Sequence, residues 1–216
     1  MLPLVEMTAK ATEKPTTTRM FQSDFIEKFS RVHPATPFVA YVPLLSWVLW
    51  RSIVRPQPAP GPLAIAGLVA TGVLVWTLTE YLLHRYVFHW VNDTAWGKRI
   101  HFILHGVHHD FPNDKDRLVM PLGASIPMAI IFYVMYRGLF GVAIGEPLYI
   151  GMGIGYLMYD GTHYAVHHFK QRTRLGKWIR KHHMVHHFAD HDGGFGVSSP
   201  LWDIVFRTMP HKKSGA

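Results

Sequence analysis

The sequence predicts an all-α integral membrane protein: four transmembrane helices in two hairpins, with a histidine-rich helical cap on the cytoplasmic side. Three observations carry that expectation. The chain has 216 residues, of which 49% are hydrophobic and only 17% charged. That is too apolar for a disordered chain and the right length for one domain or a small helical bundle. Its apolar residues fall in long uncharged runs separated by Pro- or Gly-containing stretches. Fourteen of its 16 histidines lie between His84 and His191, at the ends of those runs. Cysteine is absent, which removes disulfides, thiolate metal sites and thiolate nucleophiles from consideration.

Residues 1–37 form an N-terminal arm without a compact apolar run, so no cleavable signal peptide is expected there. Within the arm Phe21, Phe25, Phe29 and Val32 recur at helical spacing among charged residues. They read as an interfacial amphipathic helix, an unstructured arm being the alternative. The membrane domain then runs from 38 to 216. Its first helix, Phe38 to Trp50, has 13 uncharged residues before Arg51, and its second, Pro62 to Leu83, has 22 residues with Glu80 as the one charge. At 1.5 Å per residue the second is long enough to cross a hydrocarbon core roughly 30 Å thick. The turn between them, Arg51 to Gly61, holds three prolines that cannot continue a helix. Leu118 to Tyr136 supplies 19 more uncharged residues and Pro147 to Tyr159 another 13, joined by a turn from Arg137 to Glu146. The hairpins therefore occupy about 38–83 and 118–160, and the cap 84–117 and 161–216. Gly151, Gly153 and Gly155 suit close contact between membrane helices.

Charge orients this arrangement. The two turns carry 3 basic residues, whereas the arm, the middle segment and the tail carry 19. The positive-inside bias places both termini and both histidine-rich regions on the cytoplasmic face. The net charge of +8 is then accounted for by topology and anionic lipid, with no nucleic-acid partner required. The corresponding compartment is the inner membrane in a bacterium or the endoplasmic reticulum in a eukaryote.

The histidines repeat a plan. After the first hairpin come His84 and His89, then His105, His108 and His109; after the second come His163 and His167, then His183, His186 and His187. Residues i, i+3 and i+4 share a helix face, so each triplet can point one way, and His163 and His167 can hold one ion between them. His84 and His89 are five apart, roughly 140° around an ideal helix, and need a break in the helix or two different metals to act as ligands. Ten clustered imidazoles that became protonated would repel one another, whereas metals bind the neutral ring. Ten is too many for one ion and suits two with about five each, or with four and an open position. Imidazole alone does not choose among iron, zinc, copper and nickel. Glu80, four residues before His84, and Asp160, three before His163, are candidates to orient ligand rings. Tyr156, Tyr159 and Asp160 are also candidate substrate contacts, the tyrosines reading equally as aromatics that anchor a helix end. The chain has no HExxH motif of the zincin type and no Glu-x-x-His pairs of the soluble di-iron bundles.

The stretches EYLLHRYVFH (Glu80–His89), HFILHGVHHDFPNDKDRLVMP (His101–Pro121), GYLMYDGTHYAVHH (Gly155–His168) and KHHMVHHFADHDGGFGVSSPLWDIVF (Lys181–Phe206) resemble the integral-membrane fatty acid hydroxylase superfamily. The string HGxHHxxPxDxxRLVMP points to its fatty acid 2-hydroxylase branch, which acts on sphingolipid acyl chains. The resemblance implies that His84, His89, His105, His108, His109, His163, His167, His183, His186 and His187 are metal ligands, with His84 and His89 not required to share one ion. It implies two irons in the working enzyme, zinc being a common occupant after purification, with dioxygen as cosubstrate. It further implies hydroxylation at the 2-position of the acyl chain of a lipid such as ceramide. This chain departs from the pattern at Leu122 and Arg207, and His33-Pro34 continues as Ala-Thr instead of the HPGG of a cytochrome b5 domain. Electrons are therefore expected from a separate protein of cytochrome b5 or ferredoxin type. Two other readings stand beside this one: a sterol or carotenoid hydroxylase or desaturase of the same superfamily, and a metal-binding membrane protein without turnover.

Overall fold

A computed structural model of the chain describes residues 16–55 and 59–211. Every regular element in it is helical: α1 (Asp24–Phe29), α2 (Thr36–Val54), α3 (Pro62–Leu83), α4 (Ala95–His101), α5 (Val107–Asp110), α6 (Leu122–His168), α7 (Arg174–Phe188) and α8 (Leu201–Val205). Three of these helical stretches are long and apolar enough to cross a membrane: Thr36–Val54, Pro62–Phe88 and Leu122–His168. Their outward surfaces are apolar, with Val39, Leu63, Ile131, Val134 and Leu139 all more than half exposed. A water-soluble bundle would bury such residues.

Proline at the first helical positions starts α2 and α3, where its missing N–H costs nothing. α2 runs four residues beyond the expected Trp50 to Val54. Of the three-proline turn, 56–58 lies outside the described residues.

The second hairpin departs from expectation. No separate turn spans Arg137–Glu146, because helix continues through that segment and only Gly141 leaves helical geometry, at φ 71° and ψ 170°. The chain nonetheless doubles back there. Tyr133 and Tyr149 would stand roughly 24 Å apart along a straight helix, yet their rings lie 5.1 Å apart, and the Tyr133 hydroxyl donates to Glu146 at 3.0 Å. Gly141 supplies a left-handed conformation that other residues adopt only under strain. Gly145 lets the two arms touch, since a Cβ there would run into the Tyr136 carbonyl. The expected third helix begins later, at Leu122, and the fourth extends past Tyr159 to His168.

Glycines also set the contact between α3 and α6. A Cβ on Gly72 would strike the Leu148 carbonyl and one on Gly151 the Val69 carbonyl, so the two backbones meet directly. Gly153 faces Leu45 of α2 and Gly155 faces Trp76 of α3, as expected for small residues between packed membrane helices. The core of the bundle is aromatic, built on Tyr41, Trp76, Tyr149 and Tyr156. Tyr156 packs edge-on against Tyr41 and Trp76 at 5.6 and 5.5 Å, so it is a core residue and not an interfacial anchor.

Within the described part of the arm the helix is only six residues long and does not reach Phe21 or Val32. It is pinned to the segment before α6. Arg117, buried, donates to Glu27 at 2.6 Å, to the Thr18 carbonyl at 2.7 Å and to the Ser30 hydroxyl at 3.0 Å. The Val32 amide donates to the Asp116 carbonyl at 2.8 Å. Phe25 and Phe29 remain on the surface, in keeping with an interfacial face. Residues 1–15 of the arm lie outside the described part.

Candidate metal centre

The ten histidines singled out by spacing converge, and they divide into two groups of five. Ligand atoms of His84, His89, His105, His109 and His186 lie within 4.8 Å of one another, as do those of His108, His163, His167, His183 and His187. The groups adjoin: the rings of His109 and His187 stack with centroids 4.2 Å apart.

Two local features of the backbone produce this division. The first resolves the five-residue spacing of His84 and His89. At the end of α3 the helix widens into a π-helical turn over His84–Phe88, closed by the His89 amide donating to the His84 carbonyl at 3.1 Å. An i→i+5 bond stacks residues five apart, and the two rings come to 4.9 Å. Both therefore belong to the same group, and neither a break nor two ions is needed to use them. A second π-helical turn, Phe102–Gly106, follows α4 and leads into the first triplet.

The second feature corrects the expectation that each triplet points one way. Around a helix, i+4 lies about 40° from i and i+3 about 60° on the other side. That difference sends His105 and His109 to one group and His108 to the other. In α7 the same geometry sends His183 and His187 to the second group and His186 to the first. Each triplet thus contributes two rings to its own side and lends one across.

The rings suit cations. His89, His105, His108, His109, His183 and His187 are all held below the ordinary histidine range, by burial first and by neighbouring imidazoles second, and His186 is held there by burial. In His186 a hydrogen bond to Gly193 partly opposes that burial. His89 falls to about 3, His109 to about 2 and His186 to about 4, so the rings are neutral near pH 7, the form that binds metal. Their ring nitrogens meet. Nε2 of His84 faces Nε2 of His105 at 2.9 Å, His163 faces His108 at 2.8 Å and His167 faces His183 at 2.8 Å. Buried ring nitrogens of His89, His109, His163, His183, His186 and His187 have no hydrogen-bond partner. Buried polar atoms left unpaired are costly, and neutral imidazoles arranged this way fit borderline metal ions such as iron or zinc.

The carboxylates act differently from expectation. The Glu80 carboxylate accepts from the amides of Val197 and Ser198, both at 2.7 Å, and from the Ser198 hydroxyl, rather than from the His84 ring, whose Nδ1 bonds the Phe195 carbonyl. Asp160 is buried, with the Tyr156 hydroxyl beside its carboxylate. Sequence reasoning missed Asp203, which is fully buried in α8. Burial pushes its carboxyl up, but bonds from His182, the Gly196 amide and Thr208 outweigh that and hold it below the ordinary range. The one available sequence signal was an acid inside an otherwise apolar segment, LWDIV.

A cavity of about 520 Å³ opens beside the histidines. His105, His108, His163, Tyr159 and Asp160 stand on its wall, together with apolar side chains that include Leu83, Val119 and Met128. The arm closes one side through Phe21 and Phe29. A narrower void of about 40 Å³ shares Met120 and Met128 and continues among Trp76, Phe132 and Tyr149 into the bundle core.

An all-helical membrane scaffold carrying paired, buried, all-imidazole groups beside an apolar cavity defines the class: a membrane oxidoreductase of the histidine-cluster type. Residues 69–208 match the fatty acid hydroxylase family, and the chain belongs to that family. It is 39% identical over 197 residues to dihydroceramide fatty acyl 2-hydroxylase FAH1 of Arabidopsis thaliana, covering 91% of this chain and 81% of that protein. It is 33% identical over 218 residues to the fatty acid 2-hydroxylase of Homo sapiens, covering 91% of this chain and 59% of that one. Among solved structures it resembles full-length scs7p, in which only the hydroxylase domain is visible, with a TM-score of 0.80 and 32% identity over 88% of this chain and 72% of that one.

Proposed function

We propose that this protein hydroxylates the 2-position of a fatty acyl chain carried by a ceramide-like sphingolipid, using dioxygen and electrons from a separate carrier protein. The observation that carries the reading is a largely apolar cavity whose wall includes His105 of one five-histidine group and His108 and His163 of the other. The relatives named as dihydroceramide and fatty acid 2-hydroxylases support the substrate class. The two arms of Leu122–His168 bring the number of membrane passes to four. Both termini and the histidines then lie on the cytoplasmic face, where 19 of 22 basic residues fall.

One ion would be held by His84, His89, His105, His109 and His186, and a second by His108, His163, His167, His183 and His187. When bound, two irons would supply the redox chemistry that activates dioxygen toward an unactivated C–H bond. The chain's own residues do the rest. The cavity's apolar wall takes the acyl chain, and the narrow continuation past Met120 and Met128 accepts its tail. The carbon to be hydroxylated then rests near His105, His108 and His163. Asp160, on the same wall beside Tyr156, accepts hydrogen bonds from donors of the lipid head such as an amide N–H or a hydroxyl. Phe21 and Phe29 of the arm exclude water from the open side.

The test is mass spectrometry of lipids from ceramide-supplied cells expressing the wild type or the His183→Ala/His187→Ala double variant. The wild type adds one oxygen at the 2-position of the acyl chain and the variant does not. Oxygen on a sterol or carotenoid, or on another acyl carbon, overturns the assignment.

A further inference from the structure

The two histidine groups are not held alike. Residues 193–198 form a loop whose four consecutive amides at 195–198 all donate to buried carboxylates. Phe195 N–H bonds Asp203 at 2.9 Å and Gly196 N–H bonds its other oxygen at 2.7 Å, while Val197 and Ser198 bond Glu80, each at 2.7 Å. The carbonyls of the same loop turn the other way. Phe195 O accepts from His84 Nδ1 at 2.6 Å and Gly193 O from His186 Nδ1 at 2.7 Å. The peptide joining Phe195 to Gly196 therefore bonds Asp203 through its N–H and His84 through its C=O. The peptide joining Gly193 to Gly194 bonds the Thr208 carbonyl through its N–H at 2.8 Å and His186 through its C=O. Thr208 is in turn tied to Asp203 by its hydroxyl at 2.8 Å and its amide at 2.8 Å.

A carboxylate on the N–H of a peptide makes its carbonyl a stronger acceptor, as in any chain of mutually polarising hydrogen bonds. A stronger acceptor on Nδ1–H fixes the tautomer and ring orientation and makes Nε2 a more basic ligand. The second group has no counterpart. Among the described residues Nδ1 of His163, His183 and His187 is buried without a partner, and the hydrogen bonds that His163 and His183 make through Nε2 are with other histidines of the same group.

We infer that Asp203 is a positioning residue that acts on His84 through the Phe195–Gly196 peptide, making the His84 group the tighter of two unequal metal sites. The inference rests on the reading that both groups hold metal. It calls for a readout of each site and not of turnover.

Full-length protein in detergent, loaded with zinc, is mixed with excess chromogenic chelator and release is followed in time. Two phases are expected. His108→Ala removes the fast one, which belongs to the His163 group, and His186→Ala the slow one. Asp203→Asn keeps a side chain of the same shape but turns one acceptor oxygen into an amide. It is expected to speed the slow phase about 10- to 100-fold and leave the fast phase unchanged. The visible absorption of cobalt-loaded protein shifts only in the component that His186→Ala abolishes. Thr208→Val, which takes one donor from Asp203, gives a smaller acceleration of the same phase and serves should Asp203→Asn fail to fold. Release in a single phase, equal acceleration of both phases, or a slow phase that disappears in His108→Ala overturns the inference. A wild-type protein that binds no metal overturns the functional reading as well.

Discussion

The crossing of one histidine from each triplet can be tested by counting. If ligands are assigned as the geometry places them, His105 and His186 serve one ion although they are 81 residues apart, while His105 and His108, one helical turn apart, serve different ions. Removing one of five imidazoles costs the metal more than removing an outer hydrogen-bond partner, which is worth about 10- to 100-fold in affinity. A single alanine should therefore weaken one site by at least about 100-fold, or about 2.7 kcal/mol, and leave the other filled. Each protein would be dialysed against a metal buffer poised between the intact and weakened affinities, and metal per chain measured by plasma mass spectrometry. Wild type should hold two ions and His105→Ala one. His105→Ala/His186→Ala should still hold one, because both changes fall on the same ion, whereas His105→Ala/His108→Ala should hold none. The reasoning is refuted if the double variant within one triplet keeps an ion while the variant across the two triplets loses both.

Four further outcomes follow from particular contacts. Gly151→Ala forces a Cβ against the Val69 carbonyl and should cost about 1–3 kcal/mol, read as a lower unfolding midpoint in detergent; Gly123→Ala, with open space around it, should not. Metal-free protein should lose stability as pH falls below about 6.5, the ordinary histidine value. The buried rings stay neutral in the fold while the unfolded chain takes up protons, so the loss accumulates from there down to about 4 for His186 and about 3 for His89. Denaturant titrations across pH check the sign. Glu27→Gln weakens the charged contact with Arg117 and should hasten proteolytic cutting of the arm around residues 16–30 with metal content intact. Asp160→Asn should lower hydroxylation about tenfold or more, with both ions retained, since Asp160 lies outside both histidine groups; loss of metal would show instead that it supports a ligand.

Much of this protein is legible in its amino-acid order because both of its governing patterns are periodic. Uncharged runs of the length of a bilayer announce membrane helices, since no other structure satisfies a backbone in hydrocarbon except a closed barrel. Histidines grouped at short spacings after each apolar run suggest a metal centre, and all ten so chosen converge. The helix-packing glycines were equally visible, because closeness between helices requires the absence of a side chain.

What the order of residues could not show is where helical geometry departs from 3.6 residues per turn and which loop returns to which helix. The π-helical turn at His84–Phe88 turns an apparently impossible pair into neighbours. No residue type specifies it, because it is stabilised by what the two rings meet once the chain has folded. The reversal at Gly141 shrinks an expected ten-residue turn to one non-helical glycine. Asp203 and Glu80 were invisible as partners because the amides their carboxylates bind lie 7 to 8 residues away for one and 117 to 118 for the other. The sequence by itself determined the class, the ten candidate histidines and the long apolar helices, all of which rest on local spacing. Only the tertiary structure decided how the ten divide between two sites and which site is braced, because that depends on contacts between segments far apart along the chain.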